Sequence, residues 1–348
     1  MKDESGNIVV QTIRNMQVVC LTTDEEFSHN KFSNPMDILA SNHQYGHLNI
    51  RNASNSPTIL PAQIAVLTKQ SAQNHGMVKG AYIPASSRRD FYDAGCVQGS
   101  QTGHIRESRT DTEVRFIPFG AREYIFEKAN VTGSHTNIYD AIDLVGKQTG
   151  ANSGTYLDKY FSTHSKELEQ FIAHFERPKN TIGVIVLVDG EIVSMDKFPS
   201  FEYTEQVWDA LIRDCYGSIA LTEERKNSDG ISEFSKSISN LTRNESESVA
   251  EYLKRVLANT KQAMSSAVKD RLSELMPVDF NETVDSNEGG YLSEILRSSD
   301  NGYIGQVISE SGFNHLVSIC KRESFSPERF RKANAMRQKA RNQNKFEL

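Results

Sequence analysis

His75 and His104 bracket two polar stretches in an otherwise apolar first third of the chain. An imidazole near neutral pH can act as acid, base or metal ligand, so the pair is a candidate catalytic couple if the stretches meet in space. Two unrelated exposed histidines are the alternative. His43 and His47 lie one helical turn apart, but Gly46 between them weakens a helix, and they read as loop surface. Asp196 and Glu202 bracket a Phe-Pro-Ser turn, where a carboxylate can do acid or base work or simply cap the turn. The segment Gly95-Cys-Val-Gln-Gly99-Ser-Gln-Thr-Gly103-His104 is Gly-rich, and backbone amides there can hold an anion if it is more than a surface loop. A Walker loop, a Gly-x-Gly-x-x-Gly turn and a Gly-x-Ser-x-Gly elbow are all missing, and no residue pattern names a cofactor or a metal.

The elements that must position these groups change character along the chain. Between Met16 and Phe119, short apolar or alternating runs such as MQVVCL, HLNIRN, TILPAQIAVLTK and EVRFIPFG are broken by Gly, Pro, Asn and Ser. That rhythm predicts strands, with Pro57, Pro61, Pro84 and Pro118 at their ends. Helical periodicity follows in Ile138, Ala141, Ile142 and Val145, and again in Leu168, Phe171, Ile172 and Phe175. The β-branched run Thr181 to Val188, then Asp189-Gly190, then Glu191 to Met195, predicts a hairpin closed by a type I′ turn. A helix bearing Val207, Trp208, Leu211, Ile212 and Cys215 is expected to stop at Gly217.

From Leu221 to Asn244 the composition is that of a polar linker, followed by two amphipathic helices ending at Pro277. A polar loop over Asp279 to Gly290, a short helix over Tyr291 to Arg297, and a closing hairpin around Ser311-Gly312 complete the expectation. The fold class is α+β, with a β-rich sheet or sandwich core, packed helices, a helical insertion and a basic C-terminal helix. In domain terms, 1–220 with 298–322 form the core, 221–297 the insertion and 323–348 the tail.

Charge is distributed unevenly. The net charge is −6, yet from Lys321 onward nine Lys or Arg face three acidic residues, so the tail carries +6 and the rest −12. Arg329, Arg331, Lys332, Arg337, Lys339 and Arg341 suit phosphates, giving affinity for nucleic acid, or for an acidic protein. Cys20, Cys96, Cys215 and Cys320 lie far apart in apolar stretches, without a Cys-x-x-Cys pair, and read as reduced core residues. No run approaches the roughly 18 apolar residues that span a bilayer, so no membrane is expected and a cytoplasmic location follows.

The segments IRNASNSPTILPAQIAVLTKQ, AGCVQGSQTGHI, TIGVIVLVDGEIVSMDKF with its Trp helix, and SGFNHLVSI resemble, in order, a prokaryotic and phage family. It is named for genomic association with ADP-ribosylglycohydrolases and rhodanese-like phosphatases. The resemblance implies a Gln-x-Arg after the first segment and a Cys-Val-Glu followed by Arg-Trp in the second. Here Gln70 matches, Gln98 stands for the glutamate, and Gly103-His104 stands near the Arg-Trp. Gln98 cannot ionise, so a role of that glutamate as base is lost unless another carboxylate substitutes.

The resemblance implies a nucleotide- or ADP-ribose-linked binding or diverged catalytic domain. Its pocket is expected between the loops Lys69 to Gly76 and Cys96 to His104, with Gln70, Gln98, Gly99 and Gly103 as ligand groups, and His75, His104 and Asp196 as catalytic ones. The rival expectation is a noncatalytic interaction protein acting through its tail, and self-assembly into a homo-oligomer is a third.

Overall fold

In the computed structural model the described residues are 10–23, 32–69, 72–99, 103–128, 138–151, 154, 156–226, 251, 266, 268–271, 278–300 and 302–322. Their strands in the first third are β1 (Gln11–Ile13), β2 (Met16–Thr22), β3 (Leu39–Ser41), β4 (Leu48–Asn52), β5 (Thr58–Leu60), β6 (Ile64–Thr68), β7 (His75–Gly76), β8 (Ala81–Ile83), β9 (Ser87–Phe91), β10 (Gly95–Cys96) and β11 (Thr112–Phe116). Helices α1 (Arg122–Lys128), α2 (Tyr139–Gln148) and α3 (Leu157–Ile172) follow, then the hairpin β12 (Thr181–Val188) and β13 (Glu191–Lys197). Helix α4 (Phe201–Ala210) runs through a π-helical turn at Leu211–Tyr216 into α5 (Gly217–Lys226), and strands β14 (Phe280–Glu288), β15 (Tyr291–Ser298), β16 (Tyr303–Glu310) and β17 (Phe313–Lys321) close the fold.

The organising layer is an eight-stranded antiparallel sheet in the order β1-β2-β12-β13-β17-β16-β15-β14. Smaller sheets, β10-β7-β6-β11, β3-β4-β9 and β5-β8, come from the first third of the chain. One large apolar cluster, reaching from Met16 through Ile50, Phe116, Phe171 and Trp208 to Leu316, joins the small sheets, the helices and one face of the large sheet. The chain is therefore α+β. Among the described residues no helix is long and apolar enough to cross a membrane.

The hairpin turns form as their residues require, since Asp189 (φ 51°) and Gly190 (φ 83°) both take the left-handed conformation of a type I′ turn. Ser311 (φ 50°) and Gly312 (φ 80°) do the same between β16 and β17. Three expectations need correction. Gly217 does not end its helix but begins α5, because its bare Cα lets Phe171 and Leu168 pack where a Cβ would sit 2.9 and 3.1 Å from their side chains. The helix therefore continues to Lys226, into the stretch read as linker. The loop over 279–290 and the helix over 291–297 are the hairpin β14–β15: in β15 Tyr291, Ser293 and Ile295 turn inward at period two, and β16 supplies a ladder partner for each. Most of the two helices expected before Pro277 lie outside the described residues.

Candidate functional site

The two polar loops do lie side by side. β7 pairs with β10, placing His75 opposite Cys96, and Val97 N–H donates to Asn74 O at 3.2 Å. Gln73 Nε2 donates to Gln98 O at 2.5 Å, and Gln98 Nε2 donates to Ala72 O at 3.1 Å. These reciprocal amide bonds fill the seam, and Gln73, Asn74, His75 and Gln98 are all buried. Gln98 is thus a clasp between loops. Gly99 and Gly103 are half-buried at its margin, Gly103 with φ 107°, and Gly103 O accepts from Gln73 N–H at 3.3 Å. Gln70 lies outside the described residues.

His75 is wholly enclosed. Its Nε2 accepts from Gly46 N–H at 3.1 Å, which puts the ring proton on Nδ1, 2.9 Å from Gln73 O. A ring committed in this way pins the turn at Gly46 to the loop at Gln73 and has no face open to a substrate. His104 is exposed, with its ring 6.2 Å from that of Tyr45. The two histidines share a neighbourhood, but one is internal and the other external, and the couple expected from their positions is not formed in this structure.

Asp196 also sits differently from expectation, inside β13 and not in the turn after it. Neither it nor Arg122 has appreciable solvent exposure, and the two form an ion pair. Arg122 Nη1 donates to Ser194 Oγ at 2.8 Å, Ser318 Oγ donates to Asp196 Oδ1 at 2.6 Å, and the Tyr216 hydroxyl donates to Asp196. Burial works against the charge on Arg122, but Asp196 outweighs it and holds the guanidinium well above its usual range. Burial, then the Asp196 charge, pushes the Tyr216 hydroxyl well up. The pair is an interior bolt linking α1, the hairpin, the π-helical turn and β17.

A cavity of about 550 Å³ opens where the first loop begins. Lys69, at the end of β6, stands at its rim with the segment Thr110 to Glu113, while Asp158, Phe161 and Glu169 line it from α3. Leu157 N–H, at the start of α3, donates to Val97 O at 3.3 Å, so the second loop buttresses the helix that walls the cavity. The cations are fixed from below. Arg115 forks onto Asp214 through Nε (2.7 Å) and Nη2 (2.6 Å), Arg213 Nε reaches the same carboxylate at 2.7 Å, and Asp214 itself is buried. Burial opposes both guanidinium charges, yet the bonds to Asp214 raise both pKa values, so both stay protonated. Arg115 also lies over the Phe161 ring, 4.2 Å from its centroid.

The π-helical turn makes this possible. Its extra residue per turn sets Arg213 on the cavity wall while Asp214 behind it, Cys215 and Tyr216 are buried. Arg115, Phe161, Arg213 and Asp214 were not singled out from sequence. One signal was present, a charged Arg-Asp pair inside the apolar stretch Leu211, Ile212, Cys215, where a buried carboxylate demands a cation. Among the described residues no group of three or more His, Cys, Asp or Glu is arranged to hold a metal. Arg329, Arg331, Lys332, Arg337, Lys339 and Arg341 lie outside the described residues.

Residues 5–278 match a family model described as the ARG and Rhodanese-Phosphatase-superfamily-associated Protein domain. No curated protein and no solved structure matches the chain.

Proposed function

The chain belongs to the ARG and Rhodanese-Phosphatase-superfamily-associated Protein domain family, and we propose that it binds a phosphorylated ligand of the nucleotide or ADP-ribose type in the cavity between β6, β11 and α3. One observation carries this reading: at the wall of a cavity of about 550 Å³, Arg115 and Arg213 are both oriented by the buried Asp214, and each is steadied by a second carboxylate of the lining, Arg115 by Glu113 at 2.9 Å and Arg213 by Glu169 at 3.3 Å. That volume is within the range of small-molecule sites, roughly 300 to 1,000 Å³. Fixed guanidinium groups recognise phosphate oxygens without a large ordering cost. Lys69 adds a point charge at the rim, and Asp158 and Glu169 are acceptors suited to ribose hydroxyls. The family's named association with ADP-ribosylglycohydrolases supports the ligand class. Binding is favoured over catalysis because Gln98 and His75 are committed to internal bonds. Four buried free thiols agree with a reducing, cytoplasmic setting.

Calorimetric titration of the full chain with ADP-ribose, NAD and common nucleotides is the test. Saturable heat is expected for at least one, and Lys69→Ala should weaken it about tenfold, the scale of one charge-assisted hydrogen bond, with an unchanged melting temperature. No saturable heat with any of these ligands ends the proposal. A second reading rests on the +6 tail: deletion of Ser326 to Leu348 should then remove low-salt affinity for nucleic acid or for an acidic protein, and undiminished affinity rejects it.

A further inference from the structure

Large apolar side chains left exposed among the described residues are few, and two of the three are tyrosines, Tyr45 and Tyr92. Both stand on one patch. The turn at His43 to His47 is pinned from beneath by His75, which accepts from Gly46 N–H, and from the side by Asn42, whose N–H donates to Ile105 O at 3.0 Å. Gly46 O accepts from Ala94 N–H at 3.0 Å, which draws the end of β9 alongside. The rings then assemble: His47 lies 3.9 Å from His43 and 5.0 Å from Tyr92, and Tyr45 lies 6.2 Å from His104. His47 Nε2 donates to Asp90 at 2.8 Å, which locks the central ring of the row.

Arginines continue from this row. Arg51 and Arg88 point outward from paired positions of β4 and β9 and share Glu107, at 2.8 and 2.9 Å. Arg106 and Arg109 are exposed on the segment that leaves His104. Four arginines against Asp90 and Glu107 make a cationic island on a body that, before Lys321, carries −12. Exposed aromatic faces beside guanidinium groups match one kind of partner well. Unpaired bases stack on such rings and arginines follow the phosphates, whereas a duplex hides its base faces. The acidic remainder repels a polyanion and thereby confines it to the island.

We propose that this patch binds an unpaired nucleic-acid strand, with bases stacked on Tyr45 and Tyr92 and the phosphate backbone followed by Arg88, Arg106 and Arg109. The site is separate from the small-molecule cavity and from the tail. It also gives His75 a task, that of a positioning residue beneath the turn that displays Tyr45.

The test is fluorescence anisotropy of the full chain with a labelled oligo-dT of about a dozen nucleotides, an abasic strand of equal length, and a duplex. Stacking contributes about 1–3 kcal/mol per base, so the base-bearing strand should bind at least tenfold more tightly than the abasic one. The tail, which senses charge alone, contributes equally to both. Combined Tyr45→Ala and Tyr92→Ala should erase the difference, and Tyr→Phe at both positions should retain it. Equal affinity for abasic and base-bearing strands, a base preference that survives the double alanine variant, or a duplex affinity that falls as far as that of the single strand in this variant would each overturn the proposal.

Discussion

Arg122 and Asp196 are a charge pair removed from water, and its consequences are set by the groups around it. Ser194, Tyr216 and Ser318 surround the pair with hydrogen bonds and leave Arg122 Nε buried without a partner, so most of the desolvation of each ion is matched by directed contacts. Removing one partner leaves the other charged and buried. Asp196→Ala should therefore cost about 3–5 kcal/mol of stability, read by urea denaturation, whereas replacing both members with Leu and Met of similar bulk should cost far less. A loss below about 1 kcal/mol in the single variant would show that the pair is solvated in solution. At this scale the sequence drew attention to side chains whose surroundings it did not reveal. Asp196 stands out next to a Phe-Pro-Ser turn, and only the register of β13 against β17, which sets Asp196 opposite Ser318, shows that its side chain enters the core. His75 is similar, because its burial depends on Gly46 arriving from another strand pair.

Strand pairing also explains a glycine in the middle of a β-branched run. Gly183 in β12 faces the backbone of β13 so closely that a Cβ would lie 2.3 Å from Asp196 O. Gly183→Ala must push the two strands apart or bend one of them, and the expected cost is about 1–3 kcal/mol, typical of overpacking. Differential scanning calorimetry should show the melting temperature falling, and an unchanged value would mean that β12 can shift without loss. Elements whose signals are local were legible from sequence: the Asp189-Gly190 hairpin, the helical periodicities of α2 and α3, and the prolines flanking β5 and following β8 and β11. β14 and β15 were not. Tyr291, Leu292, Ile295 and Leu296 recur at a spacing that also fits a helix, and β14 is a largely polar edge strand. Their conformation is decided by β16, which offers a full ladder of partners.

At the scale of the molecule, the core is continuous from the first third of the chain to β17; Cys20, Cys215 and Cys320 lie within it, Cys96 is buried beside His75, and all four are free thiols. Burial pushes Cys20 up to about 11 and Cys96 and Cys215 up to about 12, and Cys320 is raised as well. A thiol reagent at pH 8 should consequently label none of them in the native protein and all four after denaturation, since the thiolate is the reactive form. Rapid labelling of one cysteine in the native state would reveal local opening of the sheet. The sequence by itself determined the α+β class, the strand-rich first third, the principal hairpins, the reduced cysteines and the opposed charges of body and tail, because composition and short-range periodicity carry that information. Tertiary structure alone decided which strands are neighbours, that β2 meets β12 and β13 meets β17 across long stretches of chain, and hence that Asp196 is bolted inside while Arg115 and Arg213 converge on Asp214. The physical reason is that a side chain's surroundings depend on which distant backbone supplies the other wall, and that choice minimises the free energy of the whole chain rather than of any segment in it.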